Sequence, residues 1–309
     1  MYETLVLGSG GVRGLAILGA LSKVENKGLL KKINHLVGCS TGSIISLLYI
    51  LGYTFDNIIQ LYLNIDFWDQ LNINLDSILN ITTSLGIIDT SQKFKNILRI
   101  LLTNSKLIKL HKIKLTDLTF LKLFQLTNIK LTICITNLNK CEPSYLNYEN
   151  TPNILVEDGV RKSCAIPFLF QPIDNCIDGA VCNSYPINQT KDITKTLGII
   201  VKDTTCNKSH EFIQHIFNIV RSIEINNIQL IMKDEDIKNH TIIIPCPRDI
   251  KDKNKILKYG LLHGEKWLEK YNKINPIFHL FTKKFLNKLK NILILKRNVF
   301  CKSRNLSSK

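Results

Sequence analysis

Near the start of this chain, a short apolar strand, a glycine-rich turn and an apolar helix follow one another in that order, and this order occurs twice. In the first copy, residues 5–7 are Leu-Val-Leu and lead into the glycine-rich residues 8–14. In the second copy, Leu-Val at residues 36–37 precedes a Gly-Cys-Ser-Thr-Gly turn at residues 38–42. A helical spacing of apolar residues follows each turn. This order predicts an α/β fold whose central, mainly parallel sheet is sandwiched between helices.

The rest of the chain continues the alternation of strands and helices. Residues 53–128 have leucines and isoleucines at mixed spacings, which indicates mostly helical structure. Further on, the β-branched or apolar runs and the amphipathic runs predict strands at 129–138, 173–177, 196–201 and 241–245, and helices at 158–165 and 211–232. The simplest account is one α/β domain that extends to about residue 275.

The chain is strongly basic, with 41 Lys and Arg against 25 Asp and Glu, a net charge of +16 and a pI near 9.4. Such an excess favours an acidic partner, either nucleic acid or an anionic membrane. The recurrence of Asn, Ile and Lys offers another explanation, the composition bias of an AT-rich genome. No zinc-finger or RNP-type motif is present, so we do not expect nucleic-acid binding.

Hydrophobic residues make up 45% of the chain, which is enough for a large core. No apolar run approaches the roughly 20 residues of a spanning helix, and residues 1–4 fit a secretory signal poorly. We therefore expect a cytoplasmic protein with no signal peptide or transmembrane helix. The nine cysteines include no C-x-x-C pair, so we expect reduced core thiols and no metal site.

The last part of the chain, residues 276–309, has its own pattern. Apolar residues fall on one helical face at Phe285, Leu286, Leu289, Ile292 and Leu293, and lysines and arginines surround them. A basic amphipathic helix can lie in the interface of an anionic membrane, which predicts peripheral contact through residues 283–304. Alternatively, the helix packs its apolar face against the core.

The turn at residues 38–42 matches the G-x-S-x-G pattern of a nucleophile elbow. Gly38 and Gly42 allow the sharp bend, and Ser40 would stand at the N-terminus of a helix, where partial positive charge favours an alkoxide. This makes Ser40 the candidate nucleophile. A tight turn with an incidental serine is the alternative, and Cys39 lies at the wrong position of the elbow to be the nucleophile.

The glycine-rich turn at residues 8–14 can present backbone N–H groups to an anion. A phosphate loop would need Gly-Lys-Ser/Thr, which is absent. A dinucleotide-binding fold would need an acidic residue after the second strand, where this chain has Gly38-Cys39-Ser40. The third use is an oxyanion hole formed by Gly10, Gly11 and Val12.

A third short motif is Asp178-Gly179-Ala180. Alone it indicates only a turn, because Asp-Gly is a frequent turn dipeptide.

Together, the three motifs resemble those of the patatin-like phospholipases, which carry G-G-x-R/K-G, then G-x-S-x-G, then D-G-G or D-G-A. The corresponding residues here are Gly10, Gly11, Val12, Arg13, Gly14; Gly38, Ser40, Gly42; and Asp178, Gly179, Ala180. Residues 161–172 and 178–186 are similar to two further segments of the family, and the resemblance covers about residues 4–203. One departure is Ser9, which stands where the family often has glycine and should matter little if Gly10 and Gly11 are the donors.

The resemblance implies a Ser–Asp dyad in which Ser40 attacks an ester carbonyl, Asp178 acts as the base and Gly10, Gly11 and Val12 hold the oxyanion. It implies a metal-independent lipid acyl hydrolase of phospholipase A or lysophospholipase type with no cofactor. The extent of the resemblance predicts a catalytic core at 1–205. The alternation of helices and strands beyond it predicts that 206–275 are the rest of the same domain, and the basic amphipathic pattern sets off the tail at 276–309. Arg13 would either anchor its loop or attract a lipid phosphate.

Two alternatives remain for the chemistry. A Ser–Asp–His triad would recruit one of the seven histidines, none of which lies in a recognisable catalytic segment: His35, His111, His210, His215, His240, His263 and His279. A catalytically weak protein that binds lipid or a partner is the second, although such a protein has no chemical need of both Ser40 and Asp178.

Overall fold

The computed structural model describes residues 1–64, 85–88, 93–204 and 212–274. Its strands are β1 Thr4–Leu7, β2 His35–Cys39, β3 Gly86–Ile88, β4 Lys130–Asn137, β5 Glu142–Leu146, β6 Phe168–Phe170, β7 Cys176–Asp178, β8 Thr196–Lys202 and β9 Thr241–Pro245. Its helices are α1 Gly14–Glu25, α2 Thr41–Ile50, α3 Phe55–Asn64, α4 Lys93–Asn104, α5 Lys106–His111, α6 Phe120–Thr127, α7 Val156–Ser163, α8 Ala180–Asn183, α9 Phe212–Ile231, α10 Glu235–Asn239 and α11 Lys253–Ile274.

Seven strands form the central sheet in the order β5-β4-β2-β1-β8-β9, with β7 also paired to β4. The pairs of β1 with β2 and β8, of β2 with β4 and of β8 with β9 are parallel, whereas β5 and β7 run antiparallel to β4. The predicted mainly parallel sheet is therefore confirmed. A separate parallel pair joins β3 and β6.

The central strands are almost continuously apolar because helices cover both faces of a sheet of this type. Leu5, Val6 and Leu7 of β1 are completely buried, and every residue of β8 except Lys202 is buried. Helix α1 is also buried along most of its length. Gly260 of α11 lets the two helices touch, since a Cβ there would lie 2.0 Å from the carbonyl oxygen of Ala16.

Most predicted elements appear within a residue or two of their expected ends. The strand predicted at 173–177 is β7 and begins later, because Asp174 and Asn175 adopt left-handed φ values of 50° and 53° in the turn before it. Strands β3, β5 and β6 were not predicted. The region 53–128 is mostly helical where it is described.

Residues Met1–Gly264 form one compact unit, and Glu265–Lys309 form a second, which is described only as far as residue 274. In that second unit the rings of Trp267 and Tyr271 stack with centroids 5.1 Å apart. The predicted boundaries at 205/206 and 275/276 and the amphipathic tail at 283–304 lie outside the described residues. None of the described helices is both long and apolar enough to cross a membrane.

Candidate active site

Ser40 occupies the sharp turn between β2 and α2. Its φ of 52° lies in the left-handed region, which costs free energy for a residue with a side chain. The neighbouring glycines make the turn fit: a Cβ at Gly42 would lie 2.2 Å from the carbonyl oxygen of Leu7, and one at Gly38 would lie 2.6 Å from the backbone of Gly42. The predicted elbow geometry is therefore present.

The structure brings Ser40 and Asp178 into direct contact, although 138 positions separate them in the chain. The Ser40 hydroxyl donates a hydrogen bond of 2.6 Å to Oδ2 of Asp178. Strand pairing sets this contact, because Asp178 ends β7 in register with Ile135 of β4. Gly179 follows at a point where a Cβ would meet the Cys134 carbonyl oxygen at 2.4 Å.

A backbone N–H group orients the carboxylate of Asp178. Its Oδ1 accepts the N–H of Ala180 at 2.8 Å, which leaves Oδ2 directed at Ser40. Only 3% of Asp178 is exposed, and this burial raises the pKa of its carboxyl to about 7, against the opposing hydrogen bonds from Ser40 and Ala180. A carboxylate with this pKa is a far better base near neutral pH than an exposed aspartate.

A second serine, Ser163, holds the backbone of the elbow through hydrogen bonds. Oγ of Ser163, at the end of α7, accepts the N–H of Ser40 at 2.9 Å and donates to the carbonyl oxygen of Cys134 at 2.7 Å. Ser163 thereby satisfies a buried backbone donor that has no partner in the helix. Ser163 lies in the segment 161–172 that resembles the family, but its sequence context predicted no role for it.

Gly10, Gly11 and Val12 lie beside the elbow. No hydrogen bond in the described part of the chain uses their N–H groups. Gly11 has a φ of +54° and, with Val12, lines the same cavity as Ser40. A Cβ at Gly10 would lie 3.3 Å from the Thr41 side chain. The three residues predicted as an oxyanion hole are thus close to the predicted nucleophile.

Arg13 points away from this cavity. Its Nη1 donates to the carbonyl oxygen of Cys246 at 3.1 Å and lies 3.5 Å from a carboxylate oxygen of Asp203. The side chain is 6% exposed and does not line the cavity. Of the two predicted roles, the contacts favour the anchor of the glycine-rich loop. Gly14 completes the loop, since a Cβ there would meet Thr41 Oγ1 at 2.6 Å.

An apolar cavity of about 170 Å³ opens at Ser40. Helices α1–α4 and the segment around β6 provide its walls. The lining side chains include Leu15, Ile44, Leu48, Leu61, Tyr62, Phe94, Ile97, Leu98, Leu101, Ile166 and Phe170. Most of these side chains come from residues 53–128, for which the sequence predicted mostly helices but not the shape of a pocket. A wall of this kind suits a hydrocarbon chain.

Of the seven histidines, five lie in the described residues, whereas His210 and His279 do not. In the described part of the chain, the hydrogen-bond partners of the Ser40 and Asp178 side chains include no histidine. His35 bonds to Thr132 at the other end of β2, and burial together with Lys130 lowers the pKa of its ring to about 4. Cys39 is completely buried, and burial raises the pKa of its thiol well above the ordinary value.

In the described ranges, no group of three His, Cys, Asp or Glu side chains could hold a metal ion. Seven cysteines, at 39, 134, 141, 164, 176, 182 and 246, are free thiols, of which Cys141 is exposed and Cys182 partly buried.

Comparison with protein families identifies the relatives of this chain. The model of the patatin-like phospholipase family matches residues 5–191, which is more than half of the chain and includes all the motifs described above. The chain belongs to the patatin-like phospholipase family. Membership confirms the resemblance seen in the sequence.

Two viral proteins are similar to this patatin-like chain. A protein of Invertebrate iridescent virus 6 named "Probable lipid hydrolase 463L" is 32% identical over 244 residues, which cover 76% of this chain and 79% of the relative. "Uncharacterized protein R571" of Acanthamoeba polyphaga mimivirus is 28% identical over 203 residues, 64% of each chain. The family and the first relative support a lipid hydrolase.

Solved structures show the same fold. The crystal structure of VipD from Legionella pneumophila matches 87% of this patatin-like chain and 67% of VipD, with a TM-score of 0.57 and 17% identity. The full-length ExoU–SpcU complex from Pseudomonas aeruginosa matches with a TM-score of 0.51 and 18% identity, over 87% of this chain and 52% of the matched one. Identities this low establish only the fold.

Sequence reasoning missed three features around the site. These are the Ser163 bridge, the cavity wall from α3 and α4, and the carboxylates of Asp203 and Glu224, which contact the glycine-rich loop at Arg13 and Ser9. Ser163 lies in residues 161–172, which are similar to a segment of the family, and this similarity was a signal that could have suggested a role. Glu224 and Asp203 carry no local pattern that distinguishes them from surface carboxylates.

Proposed function

We propose that this chain is a metal-independent lipid acyl hydrolase of the phospholipase A or lysophospholipase type, which forms an acyl intermediate on Ser40 with Asp178 as the base. The hydrogen bond of 2.6 Å from the Ser40 hydroxyl to Asp178, at the end of an apolar cavity, is the observation that carries the proposal. The family match to residues 5–191 and the lipid-hydrolase relative support the substrate class.

The reaction begins when Ser40 Oγ attacks the ester carbonyl and Asp178 Oδ2 takes the hydroxyl proton. The carbonyl oxygen becomes an oxyanion, which the N–H groups of Gly10, Gly11 and Val12 would stabilise. The ester C–O bond then breaks, and the leaving alcohol receives the proton from Asp178. In the second half, water attacks the acyl carbonyl carbon while Asp178 takes a proton from it. The bond from that carbon to Ser40 Oγ then breaks, Asp178 returns the proton to Ser40 Oγ, and the fatty acid leaves.

The surroundings of Asp178 suit both halves of this cycle. A base must accept a proton from the serine and later give it up, so a pKa near the working pH is most efficient. Burial raises the pKa of Asp178 to about 7, and the Ala180 N–H keeps the other oxygen of the carboxylate occupied. The same carboxylate would therefore shuttle one proton without help from a histidine.

The apolar cavity beside Ser40 supports the substrate class. Its side chains are aliphatic or aromatic over most of the wall, and burial of an acyl chain there contributes about 0.8 kcal/mol per methylene group. The ester carbonyl would lie at Ser40 while the chain extends between α2 and α4. We expect a phospholipid, a lysophospholipid or a neutral lipid as the substrate.

The test uses the wild type, Ser40→Ala and Asp178→Asn. Each protein is incubated with mixed phospholipid vesicles and excess EDTA, and released fatty acid and lysolipid are quantified by mass spectrometry. Release by the wild type alone is the expected result. Release by Asp178→Asn at the wild-type rate would show that another base acts. No release by the folded wild type on several lipids would favour a catalytically weak lipid-binding protein.

Contact with an anionic membrane through the basic residues 283–304 is a further part of this proposal. In the sequence, the apolar side chains of that segment share one helical face, and lysines and arginines surround it. Deletion of residues 283–304 should reduce binding to vesicles that contain anionic lipid while hydrolysis of a soluble ester continues. Unchanged vesicle binding would remove this part of the proposal.

A further inference from the structure

The glycine-rich loop is held at both of its ends by charged side chains from beyond residue 200. At the first end, the hydroxyl of Ser9 donates a hydrogen bond to a carboxylate oxygen of Glu224 on α9. Ser9 is 5% exposed, and its own N–H donates to the carbonyl oxygen of Ser184 at 2.9 Å. Because Ser9 directly precedes Gly10, this contact fixes the backbone from which the N–H groups of Gly10 and Gly11 project.

At the other end of the loop, Arg13 contacts Asp203 just after β8. Arg221 of α9 approaches the same carboxylate, with its Nε 3.0 Å from Asp203 Oδ2, and Arg248 lies 3.8 Å away. The side chains of Arg13, Asp203 and Arg221 are each exposed by 7% or less. Breaking a buried ionic cluster of this kind is costly, so this end of the loop is fixed to the sheet independently of Ser9.

We propose that Glu224 is a positioning residue, which sets the placement of Gly10, Gly11 and Val12 through its hydrogen bond with Ser9. The inference rests on the proposed function, since placement of these N–H groups matters only where an oxyanion forms. A glycine at position 9 could not make the bond. Positioning of the loop by Glu224 therefore requires the hydroxyl of Ser9.

The contact also couples helix α9 to the base. Asn227, one turn after Glu224, donates through its side chain to the Cys182 carbonyl oxygen at 3.1 Å, and Cys182 belongs to the short helix α8 that follows Asp178. Helix α9 thus touches the glycine-rich loop through Glu224 and the Asp178 segment through Asn227. A shift of α9 would move both parts of the site.

The charge of Glu224 acts on Asp178, so the pH dependence of kcat can report on Glu224 separately from the stability of the fold. The titratable groups that face Asp178 are the thiols of Cys39 and Cys164 and the carboxylate of Glu224. Burial raises the pKa of both thiols, so they stay neutral, whereas the negative charge of Glu224 raises the pKa of Asp178. Arg248 faces Glu224 and opposes part of that charge.

Four variants of the full-length chain separate these effects: Ser9→Ala, Glu224→Ala, the double variant of these two, and Glu224→Gln. Their kcat and KM are measured with a soluble short-chain nitrophenyl ester between pH 5 and pH 9. Ser222→Ala and Glu235→Ala are the matched controls, because both side chains are exposed and lie away from the loop. Thermal unfolding of each variant shows whether it is folded.

Ser9→Ala and Glu224→Ala should each lower kcat about tenfold with little change in KM, since small misplacements of transition-state donors are costly. Their effects should not add in the double variant, because both remove one hydrogen bond. Glu224→Gln keeps an acceptor for Ser9 and should retain most of kcat. In this variant the acid limb of the pH profile, where kcat falls as Asp178 becomes protonated, should move to lower pH. Ser9→Ala keeps the charge and should leave the acid limb in place.

Wild-type kcat in Ser9→Ala, or an unmoved acid limb in Glu224→Gln, would overturn the inference. A lower melting temperature with unchanged kcat would assign the pair to stability alone and would also overturn it. If Glu224→Ala does not fold, Ser9→Ala and Glu224→Gln decide the question. Ser40-dependent hydrolysis by the wild type separates this failure from failure of the proposed function, which would show no such hydrolysis.

Discussion

The side chain of Ser163 holds the backbone of Ser40 in place, with Oγ of Ser163 2.9 Å from the Ser40 nitrogen. Replacement of Ser163 by alanine would leave the buried N–H of Ser40 and the carbonyl of Cys134 without this partner. An unsatisfied buried polar group costs about 1–3 kcal/mol. We expect Ser163→Ala to lower the free energy of unfolding by that amount and to reduce kcat on a soluble ester.

Chemical denaturation and steady-state kinetics check this expectation. Ser22→Ala is the control, because its hydroxyl bonds to a carbonyl within α1, far from the elbow in the fold. Equal stability of the two variants would contradict the role given to Ser163.

The pH dependence of activity should follow the carboxyl of Asp178. Its pKa is raised to about 7 by burial, and only the deprotonated form can accept the Ser40 proton. We expect kcat/KM to fall about tenfold per pH unit below pH 7 and to level off above it. A rate profile with a soluble ester measures this. A rate that stays constant between pH 5 and pH 8 would show that Asp178 is not the base.

Stability should respond to pH in the opposite sense. The pKa of Asp178 rises from 3.8 to about 7 on folding, so the folded state binds the proton more tightly and is destabilised as pH rises through this window. Asp178→Asn is neutral at every pH. Its melting temperature should therefore exceed that of the wild type above pH 7, and the difference should shrink towards pH 4.

Calorimetric scans of both proteins across this range give the comparison. Asp117→Asn is the matched control, since Asp117 is exposed and its replacement should not produce the same trend. A difference between Asp178→Asn and the wild type that is independent of pH would argue against a buried, neutralised carboxyl.

The cavity beside Ser40 should determine the preferred acyl length. Ile44 of α2 lines it and is half-buried, so Ile44→Phe would shorten the space available to a chain. We expect kcat/KM for a long-chain ester to fall about tenfold, because the larger side chain takes the space of part of the acyl chain. The kcat/KM for a four-carbon ester should change little. Ile100→Phe, on the exposed side of α4, is the control. Equal losses for both esters would place the acyl chain elsewhere.

The elbow could be predicted from the sequence because its constraints are local. The glycines at 38 and 42 are needed within five consecutive residues, where the backbone turns and approaches β1. Asp178 was different, since an Asp-Gly dipeptide alone indicates a turn. Its pairing with Ser40 followed from the resemblance to a family and depends on the register of β7 against β4.

The remaining parts of the site depend on contacts that no local pattern encodes. Ser9 and Glu224 are 215 positions apart, and neither the glycine-rich turn nor the predicted helix at 211–232 indicates that they pair. The cavity wall comes from α3 and α4, whose apolar residues pack against both the core and the cavity. Their spacing predicts helices but not which face borders the serine.

The antiparallel pairing of β7 with β4 affects which parts of this site can change by substitution during evolution. Ser40 and Asp178 are spaced by the hydrogen-bonding repeat of the sheet, in which Cys39 pairs with Cys134 and Ile135 pairs with Asp178. The helices that line the cavity are separate from this ladder. Substitutions in those helices can therefore exchange one ester for another while the distance between the two reacting groups is inherited unchanged.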